Sequence, residues 1–113
     1  MQQDILTEAL ASVRVLDSIL ADEFEALKTQ KLFAFEALQD DKIKILESLT
    51  KLNLSGDDLD QESFQQLVNN PTWNEIISIS ERCKRSHQRN ELLISKQLDS
   101  IRGALSALQN QDP

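Results

Sequence analysis

The sequence predicts an all-α protein: an elongated antiparallel bundle with two long N-terminal helices, a short helix and a long C-terminal helix. Glycine and proline occur only twice each in 113 residues, which leaves little material for tight hairpin turns. Good helix formers dominate the composition. Apolar residues recur every three or four positions, which is the period of an amphipathic helix. We therefore treat residues 1–113 as a single helical domain.

The first helix is predicted at about residues 4–29 and the second at about 31–53. Both segments carry apolar residues at helical spacing. In the first they are Leu6, Ala9, Val13, Leu16, Leu20, Phe24 and Leu27, and in the second Leu32, Phe35, Leu38, Ile45 or Leu46, Leu49 and Leu52. Neither Gly nor Pro separates the two segments, so a single bent helix remains an alternative.

An acidic loop at 54–60 interrupts the pattern, because Ser, Gly and Asp favour turns. A short helix is predicted at 61–68, with Asp60 or Asp57 as its N-terminal cap. Pro71 ends that helix. Thr72 is predicted to cap the last helix, about 72–109, with Glu75 completing a capping box.

The last helix contains two polar residues within its apolar stripe, which consists of Ile76, Ile79, Cys83, His87, Asn90, Ile94, Leu98, Ile101, Leu105 and Leu108. We hypothesise that His87 and Asn90 fix the alignment of this helix and its choice of neighbours. Replacing Asn90 by Leu is then expected to raise thermal stability. In the alternative, both side chains face solvent.

The last helix is also too long for its neighbours. At about 1.5 Å per residue it extends on the order of 55 Å, and each of the first two helices covers only part of that length. The sequence therefore predicts that its C-terminal end projects with an uncovered apolar stripe. Helix-in-groove binding uses residues at this spacing. The predicted partner-binding residues are Asn90, Leu93, Ile94, Leu98, Ile101, Leu105 and Leu108.

The charge of the chain is unevenly distributed. Its net charge is −7, and residues 1–70 alone carry six Lys and Arg against fourteen Asp and Glu. An acidic protein is disfavoured as a partner of nucleic acid or of an anionic membrane. No apolar stretch reaches the length of a membrane span, and the N-terminus lacks a signal-peptide pattern. With Cys83 as the single cysteine, we expect a cytoplasmic protein without membrane insertion.

Residues that resemble catalytic or metal-binding groups are few. Cys83 and His87 lie four residues apart on one helix face, but the chain has no second Cys or His to complete a zinc site. The pair also lacks the orienting group and oxyanion hole that nucleophilic catalysis needs. We expect no enzyme activity, no metal and no cofactor. Trp73, Cys83 and His87 are instead predicted to serve packing and specificity.

The order of these features resembles the FlgN family of flagellar type III export chaperones. In that family the C-terminal helix carries a Trp, then a Cys, then Asn-x-x-Asn-Gly-x-Leu-Ile. Trp73, Cys83, Asn90, Leu93 and Ile94 match in order, whereas His87 replaces the first Asn and Glu91 replaces the Gly.

The resemblance implies a small cytoplasmic chaperone. Such a chaperone binds the C-terminal helical regions of hook–filament junction proteins, prevents their premature assembly and delivers them to the flagellar export apparatus. Self-association through the exposed stripe is a further expectation. Two alternatives are a structural helical-bundle or coiled-coil scaffold that holds no client, and an acidic regulator that sequesters a basic partner.

Overall fold

The computed structural model describes residues 2–52 and 60–109 and contains four helices within them. These are α1 (Gln2–Lys28), α2 (Leu32–Lys51), α3 (Gln61–Val68) and α4 (Pro71–Gln109). The predicted all-α bundle is confirmed, with extents of 74 × 24 × 20 Å. Residues 53–59, most of the predicted acidic loop together with the alternative cap Asp57, lie outside the described residues.

A tight turn at Thr29–Lys31 divides the N-terminal segment into two helices. Gln30 has a φ of 58°, in the left-handed region. The Lys31 N–H donates to the Ala26 carbonyl at 2.8 Å, and the Gln30 N–H donates to the Leu27 carbonyl at 3.2 Å. This pair of bonds is the Schellman motif, which more often uses glycine at the left-handed position. The turn therefore decides between the two alternatives that the sequence left open.

α1 lies at the centre of the bundle and contacts both long helices. The turn brings α2 back antiparallel along α1. α4 runs in the same direction as α1, because the contact pairs Val13–Cys83, Leu20–Asn90 and Leu27–Gln97 are each separated by 70 residues. α2 therefore runs against both other long helices.

The buried residues of α1 follow the heptad spacing of a coiled coil. Seven of them alternate at intervals of three and four positions, through Leu6, Ala9, Val13, Leu16, Leu20, Glu23 and Leu27; Ser12, Ile19 and Ala26 form a second buried row, spaced by seven residues. The predicted stripe of α1 is thus confirmed with one correction. Glu23 is buried where we expected Phe24, which is only half-buried. Opposite this stripe, Ile76, Ile79 and Cys83 of α4 complete the core, with Leu67 of α3.

α2 is the loosely packed helix, because none of its residues is fully buried. Ile45, Leu49 and Leu52 pack against the core as partly buried side chains. Leu32, which was predicted to face the bundle, is exposed; of the two alternatives Ile45 and Leu46, Ile45 packs on the core and Leu46 is exposed. α2 packs on α1 more than on α4, so a cleft of about 290 Å³ remains beside Cys83.

The helix caps differ from prediction at one of two sites. The Asp60 carboxylate accepts from the Ser63 N–H at 2.7 Å, as expected for the cap of α3. α4, however, is capped by Asn70, whose Oδ1 accepts from the Thr72 N–H at 2.9 Å. Pro71 occupies the first helical position, which suits its fixed φ and missing donor. The predicted Thr72 cap was wrong, and Glu75 pairs instead with Arg14 of α1 at 2.6 Å.

Candidate functional site

The C-terminal part of α4 extends beyond the other helices. Leu27 is paired with Gln97, and α1 ends at Lys28. Residues 98–109, which we call the overhang, therefore continue past the end of α1 by about 18 Å. Every residue of the overhang is exposed. The length difference between α1 and α4 thus leaves three turns of helix without α1 beside them.

Four large apolar side chains follow one side of the overhang. Leu98, Ile101, Leu105 and Leu108, which we call the overhang stripe, are 46%, 56%, 55% and 65% exposed. They are spaced by three, four and three residues, the spacing of two heptads of a coiled coil. Asp99 and Arg102 are the only charged residues of the overhang. The overhang is thus a nearly neutral apolar helix on an acidic protein.

A groove begins where the overhang leaves the bundle. This tip groove has a volume of about 340 Å³, and its lining includes Leu27, Leu32, Phe35, Gln97 and Ile101. Ile101 belongs to both the groove and the overhang stripe, so the two surfaces are continuous. An apolar helix lying on the stripe would reach the groove at its end.

The middle of the bundle contains a buried polar cluster that the sequence analysis did not predict. The Glu23 side chain is 1% exposed and Asn90 is 0% exposed. Asn90 Nδ2 donates to Glu23 Oε1 and to the Leu20 carbonyl, both at 2.9 Å. From α2, Gln39 Nε2 donates to Glu23 Oε2 at 2.9 Å and Lys42 Nζ to the same oxygen at 3.1 Å. This Glu23 cluster joins all three long helices.

The hydrogen bonds of the Glu23 cluster determine the charge state of the carboxyl group. Burial by itself raises the pKa of Glu23 because it disfavours the charged form. Hydrogen bonds from Gln39, Asn90 and Lys42 oppose burial, and the net pKa lies below its ordinary value. The buried group is therefore a carboxylate, paired with the partly buried ammonium group of Lys42.

His87 connects the cluster to the surface. Its Nδ1 lies 3.3 Å from Lys42 Nζ, and its Nε2 lies 3.1 Å from Glu91 Oε1. Two residues further along α4, Arg89 stacks over the Phe24 ring at 3.8 Å and donates from Nε to Asn90 Oδ1 at 3.2 Å. These contacts place both polar residues of the α4 stripe at helix–helix contacts. The solvent-facing alternative is wrong for Asn90, which is 0% exposed, whereas the His87 side chain is 46% exposed.

Cys83 and His87, although one turn apart, have different surroundings. The Cys83 thiol is buried and donates to the Val13 carbonyl at 3.8 Å. Burial raises its pKa, which disfavours the nucleophilic thiolate. Within residues 2–52 and 60–109, no three His, Cys, Asp or Glu side chains are grouped to hold a metal ion.

The predicted partner-binding residues separate into three groups. Asn90 is inside the bundle, so its assignment to a partner surface was wrong: its amide is saturated by Leu20, Glu23 and Arg89. Leu93 and Ile94 are half-buried at the edge of the bundle. The remaining four form the overhang stripe. Trp73 is partly buried against the core, as expected of a packing residue.

Sequence reasoning missed Glu23, Gln39 and Lys42. The available signal was the strict heptad spacing of α1, which places Glu23 between Leu20 and Leu27. A carboxylate at such a position needs a buried partner. No local pattern marks Gln39 or Lys42, because their role depends on the turn that brings α2 against α1.

Comparison with known proteins found no matching family model, no matching curated protein and no matching solved structure. Among the described residues, no helix is both long enough and apolar enough to cross a membrane.

Proposed function

We propose that the protein is a cytoplasmic export chaperone that binds the C-terminal helical regions of hook–filament junction proteins. It keeps these clients unassembled and delivers them to the flagellar export apparatus. The observation that carries the proposal is the overhang, an apolar helix held out from a completed bundle. Neither a metal nor a cofactor is needed for this role.

The chemistry of the overhang favours a helical client. Side chains at positions i, i+3, i+7 and i+10 form one face that a second amphipathic helix can cover. Because the overhang carries only Asp99 and Arg102 as charges, recognition depends on apolar contact. Binding of this kind is less sensitive to salt than binding between oppositely charged surfaces. This feature argues against the acidic regulator.

The bundle holds the overhang in place and stays folded when a client binds. Its core is formed by α1, α3 and the first half of α4, away from the overhang, so a client can bind the overhang without opening the core. The residues that carry the resemblance to the FlgN family divide accordingly. Trp73, Cys83 and Asn90 serve the bundle, while Leu93 and Ile94 lie at its edge, beside the overhang.

The proposal is tested by calorimetric titration with the C-terminal helical segment of a hook–filament junction protein, at low and at high salt. The test variant combines Leu98→Asp and Leu105→Asp. The matched control is Leu92→Asp, which alters an exposed leucine of the same helix outside the stripe. We expect binding that persists at high salt, is retained in the control and is lost in the double variant.

Two results would overturn this assignment. Binding that survives the double variant would move the client site away from the overhang. No binding by the unaltered chain would reject the chaperone role and favour the scaffold, whose apolar stripe is satisfied in a permanent assembly.

A further inference from the structure

We propose that two copies of the chain pair through their overhangs in antiparallel orientation, and that this pair covers the client surface when no client is present. The pairing itself is independent of the client. Its regulatory role, in which the client displaces the second copy, rests on the proposed function. The observations that carry it are the spacing of the stripe, the face on which it lies and the position of the tip groove.

The overhang stripe is complementary to itself when reversed. Its intervals of three, four and three residues read the same in both directions. In an antiparallel pair, Leu98 lies opposite Leu108 of the second copy, and Ile101 lies opposite Leu105 of the second copy. Four apolar layers form in this way, in the knobs-into-holes manner of a coiled coil. No charged residue lies within these layers.

The overhang stripe lies on the face of α4 that is turned toward α2, and this position excludes a parallel pair. His87, Ile94 and Ile101 are spaced by seven residues and so share one face of the helix. His87 contacts Lys42 of α2, which shows that this face is turned toward α2. In a parallel pair the two α2 helices would have to fit between α4 helices only 8–10 Å apart. The antiparallel pair instead places the two bundles at opposite ends.

The distribution of charge favours the same orientation. Residues 1–70, which contain α1, α2 and α3, carry fourteen acidic residues against six basic ones. Like charges repel, and the repulsion falls off over about 10 Å at 0.1 M salt. Antiparallel pairing separates the acidic N-terminal helices of the two copies by the length of the paired overhangs, whereas parallel pairing brings them side by side.

The tip groove receives the end of the second overhang. Leu108 of the second copy lies level with Leu98, next to the groove that Leu32 and Phe35 line. Leu32 is 63% exposed and Phe33 is 86% exposed, so the start of α2, next to the tip groove, has apolar surface to cover. The interface is still smaller than a standard stable one. We therefore expect a reversible dimer with a dissociation constant in the micromolar range or weaker, which a client helix can displace.

The orientation is tested by disulfide trapping of two full-length variants, Ile101→Cys and Leu105→Cys. In the antiparallel pair these positions are level with each other, whereas the two Ile101 positions are about 6 Å apart along the axis. We expect cross-linked heterodimers when the two variants are mixed under mild oxidation, and fewer homodimers when either is oxidised alone. The native Cys83 thiol is buried, so the unaltered chain is the blank. A mixture of Ile101→Cys with Ser106→Cys, which lies off the stripe, is the matched control.

Sedimentation velocity over a range of concentrations measures the pairing without cross-linking. Leu105→Asp is expected to raise the dissociation constant at least about tenfold, whereas Leu92→Asp leaves it unchanged. A chain that stays monomeric at millimolar concentration overturns the pairing. Preferential trapping of Ile101→Cys homodimers overturns the antiparallel orientation.

The client peptide separates the pairing from its regulatory role. If client and second copy share the stripe, adding the peptide reduces the yield of heterodimer in proportion to its occupancy. A peptide that binds without reducing that yield overturns the shared surface but leaves the proposed function standing. A peptide that does not bind, while heterodimers still form, removes the proposed function and with it the regulatory role, and leaves the pairing itself in place.

Discussion

The two ends of α4 carry the same pattern of apolar residues in opposite environments. Ile76, Ile79 and Cys83 are buried against α1, whereas the overhang stripe, at similar spacing on the same helix, is exposed. The difference arises because α1 ends at Lys28 and does not extend alongside the last three turns of α4. Apolar spacing thus identifies a face that needs covering, and the lengths of the neighbouring helices decide whether the chain covers it itself.

The largest expected difference between these two ends is in their contribution to stability. Ile76→Ala removes a side chain that is 3% exposed and should lower the free energy of unfolding by about 3 kcal/mol. The matched substitution Ile101→Ala, in the overhang, should change it by less than about 0.5 kcal/mol. Urea denaturation of both variants measures the two values. Similar losses would show that the overhang is part of the cooperative unit.

The Glu23 cluster lies between the two ends of α4, and substitutions in it should give the next largest loss of stability. Asn90→Leu removes a donor from a buried carboxylate, so we expect a loss of about 2–3 kcal/mol rather than the gain anticipated from sequence. Combining it with Glu23→Leu removes the charge as well and should restore most of that loss, because Lys42 retains partial access to solvent. Thermal unfolding of the single and double variants tests the coupling. Additive losses would contradict it.

Acid should weaken the bundle while sparing the overhang. The pKa of Glu23 is lowered in the folded protein, so the unfolded chain binds its proton first, near the ordinary value of 4.5. Stability from this group is complete above that pH and is lost as the pH falls through the lowered folded value. Asp17, whose pKa Arg82 also lowers, acts in the same direction. Denaturation from pH 7 to pH 3 should show a shallower pH dependence in Glu23→Gln. An unchanged slope would mean that the cluster does not hold the carboxylate.

The smallest expected effect is a change in the stability of the overhang alone. Gly103 lies in the middle of the overhang, and a Cβ added there would meet nothing within 4 Å. Gly103→Ala should therefore stabilise these turns by up to about 1 kcal/mol without altering the bundle. Amide hydrogen exchange should slow by about fivefold in the overhang only. Because the ordering cost falls, binding of a helical client should also tighten. Slower exchange throughout α4 would contradict the separation of the two ends.

Much of the fold is predictable from sequence because helical periodicity is local. The bounds of α3 agree with prediction, those of the other helices differ by at most two residues, and the Asp60 cap is confirmed. The α1 stripe failed only at Phe24, because a hydrophobicity count assigns a core position to a phenylalanine before a glutamate. The cap of α4 was predicted at Thr72 without considering Asn70. Both residue types can accept from backbone N–H groups, and the observed start of the helix at Pro71 assigns the cap to Asn70.

The sequence by itself determined the helices, their amphipathic faces and the excess length of α4, since each depends on residue type and spacing along one segment. Tertiary structure alone decided which residues from different helices meet in the bundle. The turn at Gln30 brought Gln39 and Lys42 to Glu23, and the 70-residue offset between α1 and α4 brought Asn90 to the same carboxylate. A buried charge is stable only with partners, and here those partners come from separate helices. Their alignment therefore determines which polar residues the bundle encloses and which apolar residues it leaves outside.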